Sequence, residues 1–542
     1  MMLGLIGLFG FSERGLTQVQ VTTRVSVSKD GLGGDDGSGG IPPALSANGR
    51  FSVFFSRATN LVPSDVNGVA DVFIRDNWTG AISLTSAASG GAQGNDASGF
   101  SLDVSNDGAL VVFSSLADNL VPFDFNGTED VFLHDRINGT TECVSVDPAG
   151  FPSNGQSGGG QISGDGRYVC FMSRATDIGP GSISNKFQVY VYDRVTKNTE
   201  LVSLDMFWNE SNDSAMNPAI SHDGRFVAFY GWGSDLVPGD TNGLPDYFVR
   251  DRLLGVTERI SIDSNGLQAA TPHNPFDVNY SFAAGISADG RYVTFTSSSD
   301  NLVPGDTNLS QDVFIRDRQL GSTERVNVSS DGNQVVTTNP YNVISSVSDD
   351  GRYVCFNSAD NGLVPNDTHS GADVFVRDLL KEVTELVHLN SDGIQGNGQA
   401  DLSSMTPDGR FVILPSFSNN LVTGDTNSDW DVFLHDRMTG GPDVDLTNVF
   451  AGQTATLTIT GATPGGLVVL GASLNGQGIL PTAWGPLELN GVSAVFAYVM
   501  DGAGQANVQV GLNPALLGLP LWVQGIDLTM DFPTSIWGGT IQ

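Results

Sequence analysis

Short runs of alternating hydrophobic and polar residues recur along most of the chain, and this pattern is typical of β-strands with one buried face. One run begins at Arg291 and reads Arg-Tyr-Val-Thr-Phe-Thr-Ser. It follows a Ser-x-Asp-Gly turn, in which Asp-Gly favours the positive φ angles of a tight hairpin. A loop rich in Asp and Asn comes next, and two further runs begin at Asp312 and Thr323. Each unit therefore predicts four short strands joined by turns.

This unit occurs seven times. Its Ser-x-Asp-Gly-Arg turn, or a close variant, recurs in steps of 59, 58, 58, 66, 61 and 58 residues, starting at Ser46, Ser105, Ser163, Ser221, Ser287, Ser348 and Thr406. Four-stranded units at this period, with no helical pattern between them, are typical of propeller blades around a central axis. We therefore predict an all-β fold with a seven-bladed β-propeller.

The two ends of the repeat array predict that the ring is closed. The fourth-strand signature also occurs before the first complete repeat, as Thr-Arg-Val-Ser-Val from Thr23. The seventh repeat shows no clear copy of it after His435. We therefore expect residues 22–28 to supply the outer strand of the last blade, which would cover an otherwise exposed sheet edge.

The composition changes near Asp443. Residues 447–542 contain no Lys or Arg, and strand-like runs there are separated by Gly and Pro. This part predicts a small C-terminal β-sandwich. The predicted organisation is an apolar segment at 1–17, interpreted as a remnant export signal, then the propeller at 18–442 and the sandwich at 443–542.

Charge narrows the class of partner. The chain has 60 Asp and Glu residues against 25 Lys and Arg residues, a formal charge of −35. Like charge repels nucleic acid and anionic membranes, so we expect neither as a partner.

No segment reads as a transmembrane span. The three cysteines, Cys143, Cys170 and Cys355, are expected to be small buried side chains without disulfides.

The blades also carry a family resemblance. With Ser-x-Asp-Gly-Arg-x-Val-x-Phe and a later strand that ends on Asp, they resemble the TolB-like (WD-repeat-like) propeller repeats of bacterial proteins over roughly residues 22–440. The C-terminal part is similar to sandwich modules of secreted repeat proteins. The resemblance implies the fold and a scaffold, binding platform or enzyme module. We expect an extracellular, cell-surface or periplasmic location.

The loop between the second and third strands carries Asp-x-Asn-x-x-x-Asp in most repeats. Oxygen atoms at positions 1, 3 and 7 of a turning loop can converge on a hard cation, so the pattern predicts Ca²⁺ sites. The predicted ligands are Asp65, Asn67, Asp71, Asp124, Asn126, Asp130, Asp240, Asn242, Asp246, Asp306, Asn308, Asp312, Asp367, His369, Asp373, Asp425, Asn427 and Asp431.

A second interpretation of the same loops needs no metal, because Asp and Asn side chains commonly cap tight turns. The third repeat has Ser182, Ser184 and Gln188 at the three positions, although its strand pattern persists. The triad is therefore not required for a blade to form, which favours a dispensable site over an essential element of the fold.

Two variable loops between blades, at 205–220 and 264–286, carry aromatic residues and a histidine. Variable loops on a rigid scaffold commonly bind ligands. The candidates are Phe207, Trp208, His273, Phe276 and Tyr280, and the expected partner is an unknown protein or polysaccharide. The alternative is that these side chains pack beneath their own loops.

No sequence motif indicates catalysis. The literal Gly-x-Ser-x-Gly match around Ser157 lacks the strand–turn–helix context of a nucleophile elbow. The chain has no His-Glu-x-x-His and no phosphate-binding loop. We predict a noncatalytic extracellular or cell-envelope scaffold or binding protein with calcium-stabilised loops. The alternatives are a propeller-fold glycan-active hydrolase or lyase and a periplasmic TolB-like interaction module.

Overall fold

The computed structural model describes residues 20–437, except for 180–183, 271–283, 309, 336–341 and 366, and also the strands between Asp443 and Thr540. The described secondary structure consists of β-strands, which confirms the predicted all-β class. The predicted segment 1–17 and the candidates His273, Phe276 and Tyr280 lie outside the described residues, as does Ser182 of the third repeat.

The repeats form seven antiparallel blades, as the period predicted. In order from the axis outwards, the first four blades contain β2 (Ala44–Leu45), β3 (Phe51–Ser56), β4 (Asp71–Asp76) and β5 (Ile82–Leu84); β6 (Ser98–Val104), β7 (Leu110–Ser115), β8 (Asp130–Asp135) and β9 (Thr140–Cys143); β10 (Ser157–Ile162), β11 (Tyr168–Ser173), β12 (Gln188–Asp193) and β13 (Asn198–Leu201); and β14 (Ala215–Ile220), β15 (Phe226–Gly231), β16 (Asp246–Asp251) and β17 (Val256–Arg259).

The last three blades complete the ring. They contain β18 (Tyr292–Ser297), β19 (Asp312–Asp317) and β20 (Ser322–Arg325); β21 (Asn342–Val347), β22 (Tyr353–Ser358), β23 (Asp373–Asp378) and β24 (Val383–Leu386); and β25 (Ser404–Met405), β26 (Phe411–Ser416), β27 (Asp431–Asp436) and β1 (Val21–Arg24). In blade 5, Ile286 pairs with Val293 in the innermost position.

The N-terminal strand closes the ring, as predicted. β1 pairs antiparallel with β27, from Val21 opposite Asp436 to Arg24 opposite Phe433. The backbone N–H of Val25 also donates to the carbonyl of Val432 at 2.7 Å. The last blade is therefore made from both ends of the propeller sequence, and the strand edge of β27 is covered.

Paired aromatic rings form the core of six blades. The alternating pattern of the two middle strands places one ring from each strand opposite the other, so that the rings stack across the sheet. The centroid distances are 5.9 Å for Phe54 and Phe73, 5.8 Å for Phe113 and Phe132, 5.8 Å for Phe171 and Tyr190, 5.7 Å for Phe229 and Phe248, 5.5 Å for Phe295 and Phe314, and 5.7 Å for Phe356 and Phe375.

The Ser-x-Asp-Gly-Arg turn is fixed by its own side chains. In blade 5, Ser287 Oγ accepts the N–H of Tyr292 at 2.9 Å, and Arg291 donates to Asp317 at 2.6 Å. Gly290 has a φ of 69°, and a Cβ atom there would lie 2.3 Å from the ring of Phe226 in the preceding blade. Glycine is therefore required both by the backbone conformation and by the close contact between blades.

The C-terminal part contains two larger antiparallel sheets and a hairpin. One sheet has β28 (Asp443–Thr447), β29 (Thr454–Thr460) and β34 (Ala506–Gly511). The other has β30 (Leu467–Ser473), β33 (Val492–Val499), β35 (Pro520–Asp527), β36 (Phe532–Pro533) and β37 (Trp537–Thr540), while β31 (Leu480–Thr482) pairs with β32 (Gly485–Leu487). Two sheets are what a sandwich requires, and how they pack stays a prediction.

The three cysteines are placed as the sequence predicts. Cys143, Cys170 and Cys355 are buried free thiols, as expected. Within the described part of the chain, no helix has the length and hydrophobicity that would let it cross a bilayer.

Candidate functional site

The acidic loops have the same local geometry in most blades. The Asn Oδ1 atom of the triad accepts a backbone N–H two residues further on, as with Val69 on Asn67 at 3.0 Å. The Asn67 amide also donates to the carbonyl of Gly94 in the loop that leads to the next blade. The Asn therefore caps its own turn and joins two loops, which is the turn-capping role considered above.

The first and last Asp residues of the loop are held by a third side chain, which we call the clamp. In three blades the clamp is an arginine from the outermost strand. The pairs are Arg24 with Asp425 (3.4 Å) and Asp431 (2.6 Å), Arg259 with Asp240 and Asp246 (both 3.3 Å), and Arg325 with Asp306 (3.1 Å) and Asp312 (3.2 Å). These groups are almost fully buried, so each guanidinium offsets the burial of two carboxylates.

In two other blades a glutamine is the clamp. Gln93 donates to both Asp65 and Asp71 at 2.8 Å, and Leu84 occupies the position where arginine is found elsewhere. Gln395 similarly donates to Asp367 at 2.7 Å and to Asp373 at 3.0 Å. His369 takes the place of Asn in that loop, and its Nδ1 atom accepts the N–H of Gly371.

Blade 3 reverses the polarity of the same arrangement. Gln188 replaces the last Asp, and Glu210 stands where blades 1 and 6 have the clamp glutamine. Ser184 donates its hydroxyl to Glu210, while Ser203 donates to Oε1 of Gln188 at 2.6 Å. The carboxylate has therefore moved from one loop to the other, so the contact between the loops keeps both a donor and an acceptor.

Blade 2 has no clamp among the described residues. Cys143 stands at the arginine position and Pro152 at the glutamine position. Ser145 donates to Asp130 at 2.7 Å and Asn126 donates to it at 2.5 Å, but none of the described side chains donates to Asp124. Burial is the main cause that raises the pKa of Asp130, to about 7, and it also raises the pKa of Asp124.

In five of the six loops the donor set does not fit Ca²⁺, which takes six to eight oxygen ligands. A guanidinium or amide already contacts both carboxylates in each of these five loops. Within the described residues, no group of three or more His, Cys, Asp or Glu side chains is arranged to hold a metal ion. Calcium binding by these loops stays a prediction from the sequence.

The two described aromatic candidates lie at the outer edge of the ring. Phe207 and Trp208 form the tip of a short hairpin that folds towards the next blade. The ring of Trp208 lies 4.8 Å from the guanidinium of Arg250, and a Cβ atom on Gly255 would meet it at 2.2 Å. Trp208 therefore contacts blade 4 with one part of its ring but is still 64% exposed, and Phe207 is 74% exposed.

Blade 2 contains three exposed aromatic residues that were not among the predicted candidates. Phe123 and Phe125 lie in its acidic loop, and Phe151 lies in the loop that leads to blade 3. The ring of Phe123 makes edge contacts with Phe125 at 6.4 Å and with Phe151 at 5.7 Å. An alignment of the seven repeats could have found them, because the position of Phe123 is Ser64, Gly239, Gly305 and Gly424 in other blades.

The inner strands line a cavity of about 210 Å³ at the ring axis. Its described lining is mostly Ala, Ile, Ser and Pro, and Asp103 is the acidic residue in it. Asp103 accepts the N–H groups of Ile162 at 2.9 Å and Val104 at 2.8 Å, while burial raises its pKa to about 6. No His, Glu or Arg side chain is found in this described lining.

His222 spans the hairpin end of the ring. Its Nδ1 atom lies 3.2 Å from Asp349 of blade 6, and its Nε2 atom contacts the amide of Asn106 in blade 2. The hydrogen bond to Asp349 is the main cause that raises the pKa of His222, and the charges of Asp165 and Asp223 act in the same direction. One imidazole therefore links three blades.

The pair of His222 and Asp349 should make the stability of the ring depend on pH. Because the folded-state pKa of His222 lies above its unfolded value, the pair should stabilise the ring fully below about pH 6.5 and lose this contribution as pH rises through the folded-state pKa. Solvent screening limits the effect to about 1 kcal/mol or less. Thermal melts from pH 5 to 8 should show a pH-dependent difference between the wild type and Asp349→Asn, and equal pH profiles would contradict the pairing.

Comparisons with known proteins concern the fold. No family model and no curated protein matches the chain. A TolB protein from Agrobacterium tumefaciens is 16% identical, with 53% of this chain and 79% of that chain covered and a TM-score of 0.32. A prolyl endopeptidase is 13% identical, with 79% and 55% covered and a TM-score of 0.42, so the chain spans about half of its length. The WD40 repeats of RRP9 are 7% identical, with 73% and 95% covered and a TM-score of 0.39. The chain is a seven-bladed β-propeller, and TolB and WD40-repeat propellers are among the solved structures to which it is similar.

Proposed function

We propose that the protein is a noncatalytic scaffold of the cell envelope or cell exterior that binds a partner protein or polysaccharide through its second-to-third strand loops and the loops between blades. The observation that carries this proposal is where the exposed aromatic rings lie. Phe123, Phe125 and Phe207 are 63%, 86% and 74% exposed, and all three lie on loops that differ between blades. Exposed aromatic side chains on a rigid scaffold are typical of binding surfaces.

The charged groups of the acidic loops support a structural role for the carboxylates in these loops. Their carboxylates are held by Arg or Gln clamps in five blades, so the loops are fixed by contacts within the protein. A preorganised surface loses less conformational entropy on binding. In this proposal the clamps take the stabilising role that the sequence suggested for calcium.

One observation favours a second candidate, a glycan-active enzyme. Asp103 is a half-buried carboxyl in the axial cavity with a pKa of about 6, which suits a general acid. Glycoside hydrolysis generally uses a pair of carboxylates. The described lining of this cavity contains no second acidic residue. The binding function is therefore better supported than the glycan-active enzyme.

A site-specific cross-linking experiment separates these functions. A photoreactive amino acid is placed at Phe125, and in a matched variant at Ile137, which is 69% exposed in the third-to-fourth strand turn of the same blade. In native cells, we expect a discrete cross-linked product from position 125 and none from position 137. Turnover of a polysaccharide by the wild type, with loss of turnover in Asp103→Asn, would overturn the proposal.

A further inference from the structure

Six exposed apolar side chains lie together where blade 3 meets blade 4, and we call this group the junction patch. Three of them form the tip of the hairpin after blade 3, and three lie in the third-to-fourth strand turn of blade 4 or directly after it. Single apolar residues on a surface are ordinary, whereas a contiguous group of them indicates contact with another molecule. The members, which are 49% to 74% exposed, are Met206, Phe207, Trp208, Leu253, Leu254 and Val256.

The two halves of the junction patch meet at Gly255. A Cβ atom on this glycine would lie 2.2 Å from the ring of Trp208, so the ring rests on the backbone of the turn. Leu254 and Val256 are the chain neighbours of Gly255, and Phe207 is the chain neighbour of Trp208. The six side chains therefore form one surface that is shared by the hairpin and the turn.

The backbone of Trp208 has a conformation that its counterparts reserve for glycine. In the other six hairpins the third residue of the tip is a glycine with a φ between 75° and 89°; these are Gly31, Gly91, Gly150, Gly266, Gly332 and Gly393. Trp208 stands at this position with a φ of 67°, which bulky residues seldom adopt. Burial does not explain the exchange, because Trp208 is 64% exposed. Strain of this kind is commonly retained where it serves a binding site.

The attachment of this hairpin to the next blade has also changed from polar to apolar. In four other blades a serine of the hairpin accepts a backbone N–H from the outer strand of the next blade; these are Ser89, Ser264, Ser330 and Ser391. Met206 occupies the corresponding position here and has no hydroxyl group. The contact of Trp208 with Gly255 takes over this attachment and leaves most of each apolar side chain exposed.

The edge of the junction patch is acidic. Glu200 of β13 binds Arg252 in the turn of blade 4, and Glu258 of β17 binds Arg318 of blade 5, each through Oε1. The two glutamate side chains are 51% and 43% exposed, whereas those of the two arginines are only 13% and 14% exposed. Glu258 also lies two residues after Val256, so both side chains point to the same side of the strand. The solvent-facing charges beside the apolar surface are therefore mainly negative.

We propose that the junction patch binds a partner protein through a surface that is apolar at its centre and basic at its edge. The proposal rests on the proposed binding function and names the chemistry of the partner. Apolar side chains of the partner cover Phe207, Trp208 and Leu254, and its Lys or Arg side chains lie beside Glu200 and Glu258. Protein interfaces commonly combine an apolar centre with a polar rim in this way. The formal charge of −35 attracts such a basic surface over a distance.

Other occupants fit fewer of these observations. A second copy of the chain would bring the same acidic edge and a second formal charge of −35 to the interface. A polysaccharide would stack on Phe207 and Trp208, but its hydroxyl groups would lose water against Leu253 and Leu254 without gaining a hydrogen bond. An anionic membrane would be repelled by the charge of the protein.

The probe for the test is a fluorescent amphipathic peptide of leucine and lysine, and in the control peptide glutamate replaces every lysine. Fluorescence anisotropy measures binding to the full chain. At low salt we expect saturable binding of the lysine peptide and at least about tenfold weaker binding of the glutamate peptide. Leu254→Ser should weaken the lysine peptide at least about tenfold. The matched variant Leu320→Ser should leave binding unchanged, because Leu320 has the same turn position in blade 5 and is 75% exposed but lies outside the patch.

A further variant separates binding from folding. Trp208→Gly restores the residue of the other six hairpins, so we expect a cooperative thermal melt together with at least about tenfold weaker binding of the lysine peptide. Equal affinities for the two peptides, equal affinities of Leu254→Ser and Leu320→Ser, or a wild-type dimer that Leu254→Ser dissociates in sedimentation would contradict this assignment. Cross-linking from Phe125 tests a loop of blade 2, so its outcome distinguishes failure of the proposed function from failure of the junction patch.

Discussion

Replacing Arg24 by leucine is expected to lower the free energy of unfolding by about 3–5 kcal/mol, the typical cost of leaving buried charges without a partner. Arg24 is the clamp of blade 7, and its carboxylate partners Asp425 and Asp431 have side chains that are 2% and 0% exposed. No glutamine can take over in this variant, because the residue at the glutamine position is Gly33. Chemical denaturation monitored by fluorescence would measure the loss.

The matched comparison is Arg325→Leu in blade 5. There Gln334 already donates to Asp306 at 3.2 Å, so the variant resembles the natural Leu84 and Gln93 arrangement of blade 1. We expect a smaller loss, about 1–2 kcal/mol. Similar losses in the two variants would show that the glutamine contributes nothing to the clamp.

The loss in Arg24→Leu should also depend on pH. Burial raises the pKa of Asp431 to about 6 even beside Arg24, and without this cation the pKa should rise further. A carboxyl with a raised folded-state pKa keeps its proton longer in the folded protein, so stability falls as pH rises from the unfolded value of about 3.9 up to the folded-state pKa. The free energy of unfolding that Arg24→Leu loses relative to the wild type should therefore be smaller at pH 5 than at pH 8.

Truncating one stacked ring of the core should have an effect of similar size. Phe375→Ala is expected to cost about 3–5 kcal/mol, because Phe375 is fully buried and stacks on Phe356 at a centroid distance of 5.7 Å. The control is Phe207→Ala, whose ring is exposed, with an expected change below about 0.5 kcal/mol. Equilibrium unfolding of both variants checks the pair, and a loss below that of the control variant would contradict a packed core in blade 6.

The fold could be predicted because its signals are local and repeated. The Asp-Gly turns, the alternating strands and the 58- to 66-residue steps all lie within one repeat, and seven copies agree. Ring closure was also accessible, because the fourth-strand signature at Thr23 has no counterpart after His435. The pairing of β1 with β27 confirms that inference.

The candidate site was harder to predict because its contacts join different loops. The sequence shows Asp65 and Asp71 in one loop, but Gln93, which hydrogen-bonds to both, comes 22 residues after Asp71. In the sequence, a triad of oxygen ligands for a metal and a pair of clamped carboxylates therefore have the same pattern. Only the position of the clamp side chain, which comes from another loop, distinguishes them. The hairpin that carries Phe207 and Trp208 raised the same difficulty, since only its fold shows that Trp208 contacts blade 4.

Closure by the N-terminal strand has a consequence for biosynthesis. Thr22 and its partner His435 are 413 residues apart, so the first described strand of the propeller must wait for the last strand of the ring. At about 5–20 residues per second, this wait lasts about 20–80 s on the ribosome. During that time β1 has no partner and blade 7 is incomplete, and the nascent chain exposes strand edges to other chains. Pairing of β1 with β27 therefore ends a period of synthesis in which these strand edges are open to aggregation.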